Sequence, residues 1–155
     1  MKKFSFLVRD LGHSQLTYYL VTGINKFLGE NSGYDICIFY QNLVRPMVET
    51  RFAIMNAHEA WGYTNPLIST DLVTTSNLLR YFGCRRKFFY VYDLEWLHIL
   101  NKNYSEYANL YRDSSLTLLC RSESHKKILL NNFDKEVKVV GDFNINKIAE
   151  IVHAD

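Results

Sequence analysis

Short apolar runs alternate with amphipathic stretches along the whole chain. Phe4 to Val8 is apolar at nearly every position and stops at Arg9-Asp10. A run without polar alternation suits a strand buried on both faces. Gly12 turns the chain and Ser14 is placed as a cap. Leu16, Tyr19, Leu20, Ile24, Phe27 and Leu28 then recur at helical spacing. This predicts a helix from about Gln15 to Phe27, ended by Gly29, Asn31, Ser32 and Gly33. Tyr34 to Tyr40 reads as a second strand and Thr50 to Met55 as a third. Pro66 precedes a short apolar piece, Leu67-Ile68-Ser69. Thr70 or Asp71 caps a helix through Leu72, Leu78, Leu79 and Phe82, with Gly83 as its stop. Phe88 to Tyr92 is the clearest strand and ends at Asp93. A tyrosine-rich helical segment follows around Tyr104, Tyr107 and Tyr111. Leu116 to Cys120 is a strand. Ser122 caps a helix containing His125, Ile128, Leu129 and Phe133. Val137 to Val140 is a strand, and Asn144 to Val152 a last helix.

Strand and helix in alternation, joined by short connections, predict one α/β domain over residues 1–155. Its expected form is a doubly wound, Rossmann-like parallel sheet with helices on both faces. The absence of a repeat period and of a Pro- or Gly-rich linker agrees with a single unit.

Composition removes several function classes. At 48% hydrophobic residues the chain can build a core, which excludes a disordered chain. Lys+Arg 18 against Asp+Glu 16 gives a net charge of +2, which excludes a strongly basic nucleic-acid coat but not a local basic patch. Cys37, Cys84 and Cys120 are odd in number and widely spaced. They predict neither a disulfide framework nor a zinc site, and read as small buried hydrophobes. No run is long and apolar enough for a membrane span. A reducing, cytoplasmic setting without membrane contact is the expectation, and no cofactor is implied.

In open parallel sheets ligands bind beyond the carboxyl ends of the strands, where strand order reverses. Polar residues collect at those ends: Arg9-Asp10, Asn56-His58-Glu59, Asp71, Asp93-Glu95, Arg121-Ser122 and Asp142. Asp93 is the most pointed of them. It follows five apolar or aromatic residues directly, and partial desolvation there would raise its pKa toward that of a general base. The alternative is a cap for the segment that starts at Leu94. Gly12-His13-Ser14 leads into a helix N-terminus, which favours anions. It carries one glycine where a dinucleotide fingerprint has three. His58 and His98 have no metal spacing, and no nucleophile elbow or Walker motif occurs. Arg85, Arg86, Lys87, Lys126 and Lys127 read as solvated charges or, alternatively, as contacts to DNA.

The order of elements resembles the N-terminal half of GT-B glycosyltransferases, most closely the DNA glucosyltransferases of tailed bacteriophages. The resemblance is carried by Lys87-Phe88-Phe89-Tyr90-Val91-Tyr92-Asp93-Leu94-Glu95-Trp96-Leu97, by Arg9-Asp10-Leu11-Gly12-His13 and by Leu118-Leu119-Cys120-Arg121-Ser122. It implies Asp93 as catalytic base. Together with the strand-end positions it gives Asp10, Gly12, His13, Ser14, His58, Glu95, Arg121 and Ser122 as expected ligand-binding residues. Two departures stand out. Glu95 occupies a place that is usually basic in the family, and 155 residues do not hold the second domain that binds most of the donor's nucleotide.

Three functional expectations follow. One is a glycosyltransferase-like module without chemistry, phage-encoded, acting in the host cytoplasm or the virion, and making protein contacts through Tyr18, Tyr63, Tyr104, Tyr107 and Tyr111. Another is the catalytic half of a transferase that moves a sugar from a nucleotide sugar to DNA or another hydroxyl acceptor, completed by another protein chain or a homo-oligomer. The third is a small nucleotide- or nucleic-acid-binding domain.

Overall fold

The computed structural model describes residues 1–98 and 104–154. Seven strands form one sheet: β1 (Lys2–Val8), β2 (Tyr34–Tyr40), β3 (Ile54–Asn56), β4 (Leu67–Ser69), β5 (Lys87–Val91), β6 (Leu116–Cys120) and β7 (Val137–Val139). Their order is β3-β2-β1-β4-β5-β6-β7, and every neighbouring pair is parallel. The α/β, Rossmann-like reading is therefore correct.

Among the described residues four α-helices connect strands, α1 (Gln15–Glu30), α2 (Leu72–Leu79), α3 (Tyr104–Arg112) and α4 (Glu123–Phe133), and α5 (Ile145–His153) follows the last strand. The sheet separates two cores. On one face Phe4, Phe6, Val8, Ile36, Ile38, Phe88 and Tyr90 pack against Leu20, Val21, Ile24 and Phe27 of α1 and Ile148 and Val152 of α5. On the other, Leu7, Phe39, Phe89, Val91 and Leu118 pack against Leu72 and Leu78 of α2, Tyr111 of α3, and Leu129 and Phe133 of α4. Successive strand side chains point to opposite faces. Both faces are covered, so apolar runs such as Phe4–Val8 carry no polar alternation.

Caps set the helix starts where the sequence placed them. Ser14, Asp71, Ser122 and Asn144 each accept a backbone N–H in the first turn. The boundaries differ elsewhere. Gly29 lies inside α1, which runs on to Glu30 and is capped by Asn31. The Thr50–Met55 strand shrinks to Ile54–Asn56, because only that stretch pairs with β2. Helix α2 ends before Arg80, so Gly83 is not its stop, and Phe82 stands 91% exposed. The three cysteines are free and buried, and burial pushes their thiols up. Among the described residues no helix is long and apolar enough to cross a membrane.

Candidate functional site

Strand β1 sends the chain through α1 to β2 on one side, and β4 takes β1's other side. Helices α1 and α2 lie on opposite faces of the sheet. The chain therefore parts at the carboxyl ends of β1 and β4 and leaves a crevice there. A cleft of about 420 Å³ occupies that point. Val8, Arg9 and Asp10 after β1 form one wall, and Ser14 to Thr17 of the α1 start another. Thr70 and Asp71 after β4, with Tyr92, Asp93 and Glu95 after β5, complete it.

Short polar side chains hold the walls. Thr70 donates its hydroxyl to the Leu7 carbonyl at 3.3 Å, tying β4 to β1. Ser69 and Thr75 share a buried hydrogen bond of 2.7 Å, tying β4 to α2. Asp71 accepts from the Thr74 N–H at 2.8 Å, and the Thr74 hydroxyl oxygen accepts from the Asp71 N–H at 3.2 Å, a reciprocal capping box. The other Asp71 oxygen lies 3.6 Å from Arg9 Nε. The Tyr92 hydroxyl donates to Gln15 Oε1 at 2.8 Å, joining β5 to α1.

Glu95 is the central carboxylate. After β5 the chain leaves the sheet and enters a short 3₁₀ helix, Glu95–His98. This turn brings Glu95 beneath the start of α2, where its carboxylate accepts from the Leu72 N–H at 3.2 Å. Its pKa is pushed up to about 7, first by desolvation and next by the charge of Asp71; the Leu72 N–H and Arg9 pull the other way. The same turn leaves Asp93 exposed at the rim of the cleft. The desolvated Asp93 expected from the sequence is thus replaced by a desolvated Glu95 two residues on. The aromatic run before Asp93 said nothing about which carboxylate the turn would bury.

The other sequence candidates are spread out. Asp10 lines the cleft and accepts the Gly12 N–H at 2.9 Å. A Cβ on Gly12 would meet Asp10 Oδ1 at 3.0 Å and Val44 Cγ1 at 3.2 Å, so those side chains would have to give by a few tenths of an ångström. Ser14 lines the cleft, but its oxygen is engaged by the Thr17 N–H. His13 is exposed and outside the lining. Arg121 lies over the Tyr92 ring, 4.2 Å from its centroid, and 3.7 Å from Asp142. Ser122 accepts the His125 N–H as the α4 cap. His58 belongs to a different depression, beside Trp61. Sequence reasoning left out Gln15 and Thr70, whose types carry no signal until the strands are placed side by side.

Arg86 and Lys87 each hold a backbone carbonyl of this chain. Arg86 donates to the Ala154 carbonyl at 2.7 Å and Lys87 to the Leu79 carbonyl at 3.1 Å. Tyr111 is fully buried against Phe133 and Trp96, so it is a core residue and not a contact aromatic.

Charge defines what the cleft can take. Among the described residues, Asp10, Asp71, Asp93 and Glu95 face a single lining cation, Arg9. Phosphate is disfavoured there, and hydroxyl donors are favoured. Among the described residues no three His, Cys, Asp or Glu side chains are arranged to hold a metal ion. Against known proteins, the chain matches no family model, no curated protein and no solved structure.

Proposed function

We propose that this cleft binds an uncharged, polyhydroxylated ligand of the sugar kind, and that the chain is the acceptor half of a hydroxyl-directed glycosyl transfer with Glu95, in place of Asp93, as the base. The observation that carries the reading is the half-buried Glu95 carboxylate under α2, in a cleft with four carboxylates and one cation. A carboxyl that titrates near neutrality can take a hydroxyl proton. The acceptor oxygen then attacks the anomeric carbon, and the bond to the diphosphate breaks with its electron pair. That leaving group needs positive charge, and among the described lining residues Arg9 alone supplies it against four carboxylates. A partner chain or a second copy therefore supplies the donor side.

The test is a transfer assay with a panel of nucleotide sugars and hydroxyl acceptors, run on the chain together with its co-purifying partners. Glu95→Gln is expected to lower turnover by about 100-fold or more, the scale of a lost general base. Asp93→Asn is expected to change it by less than tenfold. The reverse ranking of the two variants would transfer the role back to Asp93.

A reading as a non-catalytic module also has an observation behind it. A second depression, lined by Leu72, Val73, His98 and Tyr107, shares Arg9 and Glu95 with the cleft. Val73 is 46% exposed and Leu97 64%. An apolar shoulder of this kind suits a protein contact. Native mass spectrometry showing a strict monomer under all conditions would speak against it.

A further inference from the structure

A separate depression of about 330 Å³ lies beyond the carboxyl ends of β2 and β3, between α2 and the 3₁₀ helix Ala57–Gly62. Its lining differs in kind from that of the first cleft. Its described lining holds no carboxylate; Arg80 is its permanent charge, with His58 and Tyr81 as its other titratable groups. Asn56 and Asn77 contribute amides, and Trp61 and Tyr81 contribute rings.

The tryptophan is placed as a platform. Trp61 is 52% exposed, and its ring lies 5.2 Å from that of Tyr81 at 46°. Tyr81 is itself buried and donates its hydroxyl to the Ala57 carbonyl at 3.3 Å, which ties the end of α2 to the 3₁₀ helix. Asn56 caps that helix by accepting the His58 N–H at 3.0 Å. Gly83 lies close behind the Trp61 backbone. A Cβ there would stand 3.3 Å from the Trp61 carbonyl oxygen and 3.1 Å from that of Tyr63, so any larger residue would require the two segments to move apart by a few tenths of an ångström. A large indole left half in water, on a backbone held from three sides, is preorganised for a flat ligand.

We propose that this depression is a nucleoside-phosphate site. The base lies on Trp61, the amides of Asn56 and Asn77 meet the polar edge of the base, and Arg80 with His58 takes the phosphate. Stacking on an aromatic ring tolerates any base, amide side chains pair with base edges, and a guanidinium matches a phosphate. The volume sits at the low end of small-molecule sites, which run from about 300 Å³, and so fits one nucleotide and not two. The carboxylate-rich cleft at β1 and β4 has the opposite charge preference, so the two sites take different ligands.

The experiment is a calorimetric titration of the full chain with the four common ribonucleoside monophosphates. The matching nucleosides, inorganic phosphate and short single-stranded trinucleotides are separate arms. At least one monophosphate is expected to bind saturably, more tightly than its nucleoside or phosphate alone, and to quench tryptophan fluorescence. The signal comes from Trp61, since Trp96 is buried. Trp61→Ala and Arg80→Gln are each expected to weaken binding about tenfold or more, and Trp61→Phe to retain most of it. Arg80 is exposed, so Arg80→Gln keeps the wild-type melting temperature, and Trp61→Phe keeps a ring against Tyr81. Glu95→Gln leaves the affinity unchanged, which separates this site from the proposed transfer reaction. A trinucleotide that binds more tightly than the monophosphate makes a nucleic-acid strand the source of the nucleotide; equal binding makes it a free nucleotide. Failure of every monophosphate to bind at millimolar concentration, inorganic phosphate binding as tightly as the nucleotide, or unchanged affinity in both Trp61→Ala and Arg80→Gln would overturn the proposal.

Discussion

Glu95 concentrates the residue-scale physics of this protein. Its folded pKa, about 7, lies above the ordinary carboxylate value. The folded state therefore holds a proton that the unfolded chain gives up. The stabilising contribution is complete below the ordinary carboxylate pKa and is lost as pH rises through about 7. Glu95→Gln never charges, and its amide oxygen can still accept the Leu72 N–H. The variant is expected to match the wild type near pH 5 and to exceed it at pH 8 by about 1 kcal/mol, a value discounted for partial exposure. Denaturant unfolding at the two pH values measures this. Equal pH slopes for variant and wild type would show that Glu95 is not desolvated. The sequence placed a carboxylate at this strand end, but which of the two neighbours was buried depended on the turn after β5.

At the scale of elements, the connection from β7 to α5 holds two of the three non-glycine residues with positive φ among the described residues. Asp142 and Phe143 both have positive φ, 41° and 50°, a conformation that costs non-glycine residues roughly 1–2 kcal/mol each. Tyr90 of β5 holds it in place. Its hydroxyl donates to the Val140 carbonyl at 2.6 Å and accepts the Phe143 N–H at 3.2 Å, while its ring stacks on that of Phe143 at 4.1 Å. Burial pushes the Tyr90 hydroxyl up to about 12, so it stays protonated and able to donate. Tyr90→Phe keeps the ring but leaves both backbone groups buried without partners. A loss of about 1–3 kcal/mol in unfolding free energy is expected, and an unchanged midpoint of denaturation would refute the tie. Elements flanked by caps and continuous apolar runs were legible from the sequence, as with α1, α4, β2 and β6. The extent of β3 was not, since it is three residues long and its pairing with β2 decides its length.

For the whole molecule, the order β3-β2-β1-β4-β5-β6-β7 puts β1, β4 and β5 in the middle and three-residue strands at both edges. Opening the centre exposes both cores, whereas fraying an edge exposes little. Hydrogen exchange is expected to be slowest at amides such as Phe6, Leu7, Phe89 and Tyr90 and fastest in β3 and β7. Uniform protection across the seven strands would contradict that order. The same order places the cleft, since a sheet that ran β1 to β7 in sequence would have no point where neighbouring connections part.

The amino-acid sequence by itself determined the fold class, because two-sided burial demands apolar runs and covering helices demand a regular apolar stripe. It also set the helix starts, because Ser14, Asp71, Ser122 and Asn144 satisfy backbone donors close by in the chain. Only the tertiary structure decided which strand ends meet. The Arg9–Asp71 pair, the Tyr92–Gln15 bond and the seat of Glu95 under α2 join residues 62, 77 and 23 positions apart. Local periodicity carries no information about neighbours at such distances. Desolvation and charge, which set the chemistry of the cleft, arise from those neighbours.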